Sequence, residues 1–568
     1  MSTRRSRAAR GLERSRTPVA ARVAGGDYVA PDPDKVQAAT REEILPVALA
    51  ALLLALIALL VCFSRGYLLL YGDAVAHLGI ARRILDSHNP GLVQLGGVWL
   101  PLPHLLMLPF VQQMGWWQNG LAGAWPSLIC YILGAVGFYR LTRWLLVPRW
   151  AVAATGFYVL NPNLLYLSTT AMTEPLFLAL LIWTTLITVE CLDAVRGARQ
   201  VAVATRLVLL GLLILAAVYT RYDGWVLAAV VWCVVTVALA GRRDVWRQVV
   251  PSFACFTLLV IIGPLGWLAY NQHFFHDPLD FVRGPYSASA IEKKTATPGA
   301  GHYHGWHDPL MALVYYTRTA QIDVAFWETG FLVTGAAVWG VVLAVRRRVA
   351  LASLLLWIPL PFYVYSVAYG AVPIFIPQLW PFSYYNSRYG MELLPALALF
   401  AFVSVQWLEG RWSASQPMVK RLMQPVSLLL IALNVVGMTY RTPLVLKEAL
   451  TNSTTRVAFE SALARNLLML PPGSTILMYN SDHVGALQDA AIPLKQTINE
   501  GDYDSFQAAL AAPAEHAAYV VGIDGDPVAK AVAQHPEGLT ELTILCTSGQ
   551  PCARIYQSDR GGSTVPKP

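Results

Sequence analysis

Four short stretches keep ionisable side chains where an otherwise apolar chain has little reason to hold them. They are "YGDAVAH", with Asp73 and His77; "TTAMTEPLF", with Glu174; "YTRYDGW", with Arg221, Tyr222 and Asp223; and "SYYNSRYGMELLP", with Arg388, Tyr389 and Glu392. Each abuts a long apolar run, and charged groups at the ends of membrane spans tend to line polar paths. A carboxylate within hydrogen-bond reach takes a proton from a hydroxyl. A guanidinium beside a helix N-terminus is a bidentate receptor for phosphate. Together they suit a displacement in which a hydroxyl attacks and a phosphate leaves: Asp73 the base, Glu174 a second acid for acceptor or cation, Arg388 and then Arg221 the phosphate receptors. Each residue also has a plainer reading. Asp73 stands where an N-cap belongs. Glu174-Pro175 suits a helix start on dipole grounds. Arg388 and Glu392 are spaced as an i,i+4 pair, and Arg221 sits among belt aromatics. His77 is equally an interfacial histidine and His104 a packing residue.

A fifth stretch, "HDPLDFVRGPYSASAIEKK", offers Arg283, Tyr286, Lys293 and Lys294 to an anionic sugar donor. His302, His304 and His307 follow in "GHYHGWHDP"; they lack a recognised ligand spacing and a fourth ligand, so they are weak metal candidates. These residues fix no cofactor, and a divalent cation is admissible. Cys546 and Cys552 flank Ser-Gly-Gln-Pro, a turn that brings them together; a disulfide and two separate thiols fit the spacing equally.

The elements that must position these residues are membrane spans. The chain has 568 residues, 56% of them hydrophobic and 13% charged, against about a quarter charged in a soluble domain. Residues 44 to 63 carry no charge, and about 20 apolar residues cross the hydrocarbon layer. About eleven spans are expected, near 44–64, 120–140, 151–168, 174–192, 206–220, 225–240, 250–270, 325–345, 350–369, 390–408 and 424–440,. The net charge of +8 lies mostly in the basic tail and in short connections at every second crossing, such as Arg140 to Arg149 and Arg346 to Arg348. That is a positive-inside pattern, not a nucleic-acid surface. It puts the amino terminus in the cytoplasm, in a plasma (inner) membrane, and the four stretches outside. Residues 1–43 read as a disordered basic tail, 44–442 as the membrane body and 443–568 as an extracytoplasmic α/β domain. In that domain STILMYN, AAYVVGI, LTELTIL and CARIYQ read as strands, with no nucleotide-binding loop. In the first outer loop a helix from Ala74 to Ser87 turns Arg82 and Arg83 to water, and Pro101, Pro103 and Pro109 keep the following apolar segment from spanning.

The ordered set "GDAVAH", "TEP", "TRYDGW", "HDPLDFVRGPYSA" and "SRYGMELLP" resembles the GT-C superfamily of polytopic glycosyltransferases, family 39-like, over residues 44–440. The resemblance implies an all-α polytopic fold with interfacial helices in the first outer loop. It implies transfer of a monosaccharide from a polyprenyl-phosphate donor to a hydroxyl of a glycan, lipid or protein acceptor, with inversion. It assigns the first-loop acid to Asp73, the second acid to Glu174 and the phosphate-facing arginine to Arg388, with His77 where the family often has an acid. His77, Tyr222, Asp223, Arg283, Tyr286 and Tyr389 are then substrate-binding candidates. Competing readings are a flippase for lipid-linked saccharides and an outer-face glycan ligase or polymerase.

Overall fold

The computed structural model describes residues 33–295, 302–412 and 417–560; most of the basic tail lies outside the described residues. Helix α1 spans Pro33–Ser64, beginning about ten residues before the expected boundary, and its apolar part is Glu42–Ser64. Two short helices follow, α2 (Gly72–Arg83) and α3 (Leu102–Val111). The bundle continues through α4 (Leu121–Thr142), α5 (Pro148–Val159), α6 (Pro162–Leu167), α7 (Glu174–Arg196), α8 (Gln200–Val218), α9 (Asp223–Ala240) and α10 (Arg243–Phe275). Next come α11 (Pro309–Val324), α12 (Thr329–Arg347), α13 (Pro359–Tyr369), α14 (Leu394–Trp412), α15 (Pro417–Tyr440) and α16 (Leu444–Leu467). Among the described residues ten helical stretches are long and apolar enough to cross a membrane.

The expected span 151–168 is not a single helix. Pro162 lacks the N–H that would continue α5, and the Asn161 side chain caps α6 by accepting from the N–H groups of Asn163 and Leu164. The two pieces still make one pass. Arg143 pairs with Glu43, Arg140 and Arg206 with Glu190, and Arg149 with Glu409, which fixes one end of the bundle. Glu174 lies at the other end, and 148 to 167 at a rise of about 1.5 Å per residue is long enough to reach it. Added to the ten helical stretches, this broken pass gives eleven candidate crossings among the described residues.

Helix α2 lies in the first loop with α3, which is too short to span. Arg82 departs from expectation: it is buried, donating to Asp86 and to the carbonyls of Val111 and Gln112. The last carbonyls of α3 have no helical partner, and the Arg82 guanidinium supplies one.

The carboxy-terminal unit is a five-stranded mixed sheet: β1 (Ile476–Met478), β2 (Thr497–Ile498), β3 (Tyr519–Ile523), β4 (Leu539–Leu545) and β5 (Ala553–Ser558). The spatial order is β2-β1-β3-β5-β4, parallel in the first three and antiparallel in the rest. Four strands fall where the sequence pattern puts them; the two-residue β2 is too short to leave a pattern. Cys546 and Cys552 are joined as a disulfide between β4 and β5. The domain sits against the first loop: Arg456 donates to the Leu69 and Leu70 carbonyls, and Gln94 donates to Gly501 O.

Candidate active site

The ionisable residues at one end of the bundle converge on two guanidinium groups. Arg388 lies in a 3₁₀ segment, Ser387–Leu393, that leads into α14. Its Nη2 is 2.5 Å from Asp73 Oδ2, its Nε 3.1 Å from Glu174 Oε1 and its Nη1 3.7 Å from Glu448 Oε1. The faces of Tyr71 and Tyr389 flank it, with ring centres 5.3 and 4.8 Å from the guanidinium carbon. Arg221, in the turn between α8 and α9, donates to Thr173 Oγ1 at 2.7 Å and to Tyr363 OH. It lies 3.2 Å from Glu392 Oε1, 3.4 Å from Glu174 Oε1 and 3.5 Å from Asp223 Oδ2. Glu174 thus bridges the two arginines. Tyr363, from α13, donates to Glu392 at 2.7 Å and stacks on Tyr389.

Local structure explains each placement. The chain turns into the Arg388 segment at Asn386, whose φ of 55° is left-handed, a conformation asparagine tolerates better than most residues. Glu448, one turn into α16, accepts from the N–H groups of Asn386 (3.0 Å) and Ser387 (2.8 Å) and from the Ser387 hydroxyl. It therefore holds the segment and faces Arg388 at once. A Cβ at Gly390 would lie 2.5 Å from Asp323 Oδ2 and 2.7 Å from the Ala320 nitrogen, so the segment rests directly on α11.

The plainer readings separate cleanly. Asp73 does not cap α2: the N-cap is Tyr71, no side chain caps it, and the Asp73 carboxylate turns to Arg388. Glu392 does not pair with Arg388. In a 3₁₀ segment, at three residues per turn, position i+4 points about 120° away, and Glu392 meets Arg221 instead. Asp223 and Tyr389 belong to the cluster. His77 lies beside it with Nδ1 2.8 Å from His104 Nε2 and its ring against Trp99. Burial, and then the charges of Arg388 and Arg221, hold the His77 imidazolium form down to about pH 3, so this ring is neutral at ordinary pH. Tyr222 supports from behind, donating to Val98 O and stacking on Phe281.

Other candidates lie elsewhere. Arg283 is exposed and faces Asp277 at 3.8 Å, and the Tyr286 hydroxyl reaches that of Tyr479 in the carboxy-terminal domain. Lys294 faces Asp482. The three loop histidines do not gather: His302 stacks on Trp306 and bonds Glu292, His304 stacks on Trp380, and His307 lies between Trp306 and Tyr369. They are near one another in sequence, but His302 and His307 pack on Trp306 and His304 packs on Trp380, so each ring is taken up by aromatic stacking. No grouping of three or more metal-ligating side chains occurs among the described residues.

Three residues of the cluster escaped sequence reading: Tyr71, Tyr363 and Glu448. For Glu448 a signal exists, an acid on the apolar stripe of Val445 and Ala449, all three buried.

Five acids thus surround two arginines, and all but one of the acids are buried. Asp73 keeps 41% of its side chain exposed, against 1% for Glu174 and 2% for Glu448. It is the most exposed carboxylate of the three that face Arg388.

A broken-pass helical bundle, a first loop of short helices and a domain set over it define a polytopic membrane protein of GT-C fold, the architecture implied by the motifs. Among solved structures the chain is similar to ArnT from Cupriavidus metallidurans bound to undecaprenyl phosphate, at 12% identity and a TM-score of 0.54, covering 90% of this chain and 98% of that one. The apo state of the same protein aligns at 13% identity and a TM-score of 0.53, over 91% and 98%. No protein-family model matches the sequence, and no curated protein matches it.

Proposed function

We propose that the protein is a glycosyltransferase that moves a monosaccharide from a polyprenyl-phosphate carrier to an acceptor hydroxyl on the extracytoplasmic face of a plasma membrane, with inversion. The observation that carries this is the convergence on Arg388 of Asp73, Glu174 and Glu448, three carboxylates from distant parts of the chain, one of them solvent-facing. The fold shared with a protein solved with undecaprenyl phosphate supports the donor class.

In this reaction the acceptor oxygen attacks the anomeric carbon while the bond from that carbon to the phosphate oxygen breaks. The hydroxyl proton passes to the Asp73 carboxylate. The phosphate goes from a monoanionic diester to a dianionic monoester, so a fixed cation gains strength as the transition state forms. Arg388 is placed for that role, and Arg221 supports it through their shared partner Glu174. The donor phosphate takes the Nη2 edge of Arg388 that Asp73 occupies at rest. Glu174 and Glu448 stay bound and keep the guanidinium aimed.

The orientation rests on charge. The arginine-rich turns, with Arg140, Arg143, Arg149 and Arg206, lie at the end opposite the cluster, and the disulfide-bearing domain lies at the cluster end, as an oxidising outer compartment suits,.

The test is transfer of a radiolabelled sugar from a synthetic polyprenyl-phosphate donor by the purified protein in detergent. A new glycosidic bond of inverted configuration is the expected product. Donor redistribution across vesicles with no such bond indicates a flippase instead.

A further inference from the structure

A second anion site is built on the other face of α16. Successive residues on a helix point about 100° apart. Val445 and Glu448 face the cluster, where the Val445 N–H donates to Asn163 and Glu448 holds Ser387. Leu444 and Lys447 face away, into a separate hollow of about 360 Å³ between α11, α12 and the junction of α15 with α16. The hollow shares no lining residue with the Arg388 cluster. Its size falls at the lower end of ligand pockets, roughly 300–1,000 Å³.

Its chemistry is cationic. Arg318, Arg441 and Lys447 line it against one acid, Glu328. Glu328 is fully used by Arg318, which donates to both its oxygens at 2.8 and 3.0 Å. Arg441 has no carboxylate partner among the described residues; it lies over Phe326 and Trp327, with ring centres 5.5 and 5.0 Å away. Lys447 meets no acid among the described residues either, so two positive charges are left for a ligand.

The position identifies the ligand class. Arg441 follows the last residue of α15, at the edge of the apolar layer. Val426, Leu430 and Leu433, exposed and at helical spacing, form a stripe on the side of α15 that leads through Gly437 to Arg441 and the hollow,. Arginine stacked on aromatics at a membrane boundary, with a lysine beside it, is suited to a phosphate headgroup whose chains lie along such a stripe.

We propose that this hollow binds the phosphodiester headgroup of an anionic membrane lipid, distinct from the sugar donor, with the acyl chains along α15. Native mass spectrometry of the purified full chain, loaded with dioleoylphosphatidylglycerol or dioleoylphosphatidylcholine, tests it. The expected result is retention of phosphatidylglycerol but not phosphatidylcholine, at least about tenfold weaker retention in the Arg441→Gln/Lys447→Gln double variant, and parental retention in Arg441→Lys/Lys447→Arg. Millimolar inorganic phosphate should leave the lipid in place. Equal retention by the glutamine variant, equal retention of phosphatidylcholine, or displacement of the lipid by inorganic phosphate overturns the proposal. If the glutamine variant fails to fold, the salt dependence of retention by the parent decides: a headgroup held by two cations is released as salt rises, and salt-independent retention refutes it.

Discussion

Replacing Asp73 by asparagine isolates the base from every structural role the side chain has. Asn keeps the shape and one carbonyl oxygen for Arg388 Nη2 but cannot accept the acceptor proton. Since Asp73 caps nothing and is 41% exposed, the ion pair lost is a partly solvated one, worth about 1 kcal/mol or less. Arg388 remains pinned by Glu174 and Glu448, so the donor KM should stay within a few-fold of the parent. The barrier should rise by about 3–5 kcal/mol, a loss of roughly 10²–10⁴ in kcat. Asp73→Ala should lose as much, because no cap is at stake. The assay is initial-rate sugar transfer at varied donor concentration, with thermal unfolding in the same detergent. Parental kcat in Asp73→Asn refutes the assignment; so does a large drop in melting temperature, which would make the loss structural.

Other substitutions probe the rest of the arrangement. Arg388→Gln leaves Glu448 buried without its cation and Glu174 with Arg221 alone and should cost about 3–5 kcal/mol of stability, read as a fall in melting temperature along with abolished transfer. His77 titrates near pH 3 in the folded chain and near 6.5 unfolded. Because the folded value is the lower, the stability is present above pH 6.5 and drains as the pH falls towards 3. Between pH 7 and 5 that amounts to about 2 kcal/mol, and His77→Asn should flatten the dependence of melting temperature on pH in that window. The transfer rate between pH 6 and 8 should show no step from His77. Topology is read by cysteine labelling in intact cells: Asp482→Cys, exposed in the carboxy-terminal domain, should react with an impermeant maleimide, and Arg243→Cys, exposed at the start of α10, only after permeabilisation.

Much of this arrangement was written locally, and what was not depended on through-space partners. The spans follow from uncharged runs and basic turns, and Asp73, Glu174, Arg221 and Arg388 stand out as ionisable groups at their ends. The Arg388–Glu392 spacing misleads because i,i+4 proximity assumes an α-helix, whereas Ser387–Leu393 is 3₁₀,. Glu448 was hidden because its segment has the hydropathy of a soluble domain, and its partners lie about sixty residues earlier in the chain. Arg82 reads as a surface arginine until the end of α3 folds back beside it. The loop histidines gave a false pattern because closeness in sequence says nothing about which aromatic ring each will meet.

The surplus of acids over arginines has its own consequence for how donor and acceptor are ordered. A guanidinium already satisfied on three sides is a poor open receptor, and a carboxylate already bonded to it is turned away from a substrate. Both defects are removed by one exchange. Glu174 and Glu448 are buried and tied to the frame, so they do not yield; Asp73 is solvent-facing and does. In the proposed reaction a phosphate that displaces it from Nη2 frees Asp73 to turn towards the acceptor. On the proposed reading donor binding frees the base, and acceptor attack waits for donor. Steady-state kinetics should then show donor binding before acceptor. Asp73→Asn, which removes the competing charge at Arg388, should bind polyprenyl phosphate at least as tightly as the parent while failing to transfer. Weaker binding by that variant would mean that the phosphate sits elsewhere and that Asp73 and Arg388 form a structural pair.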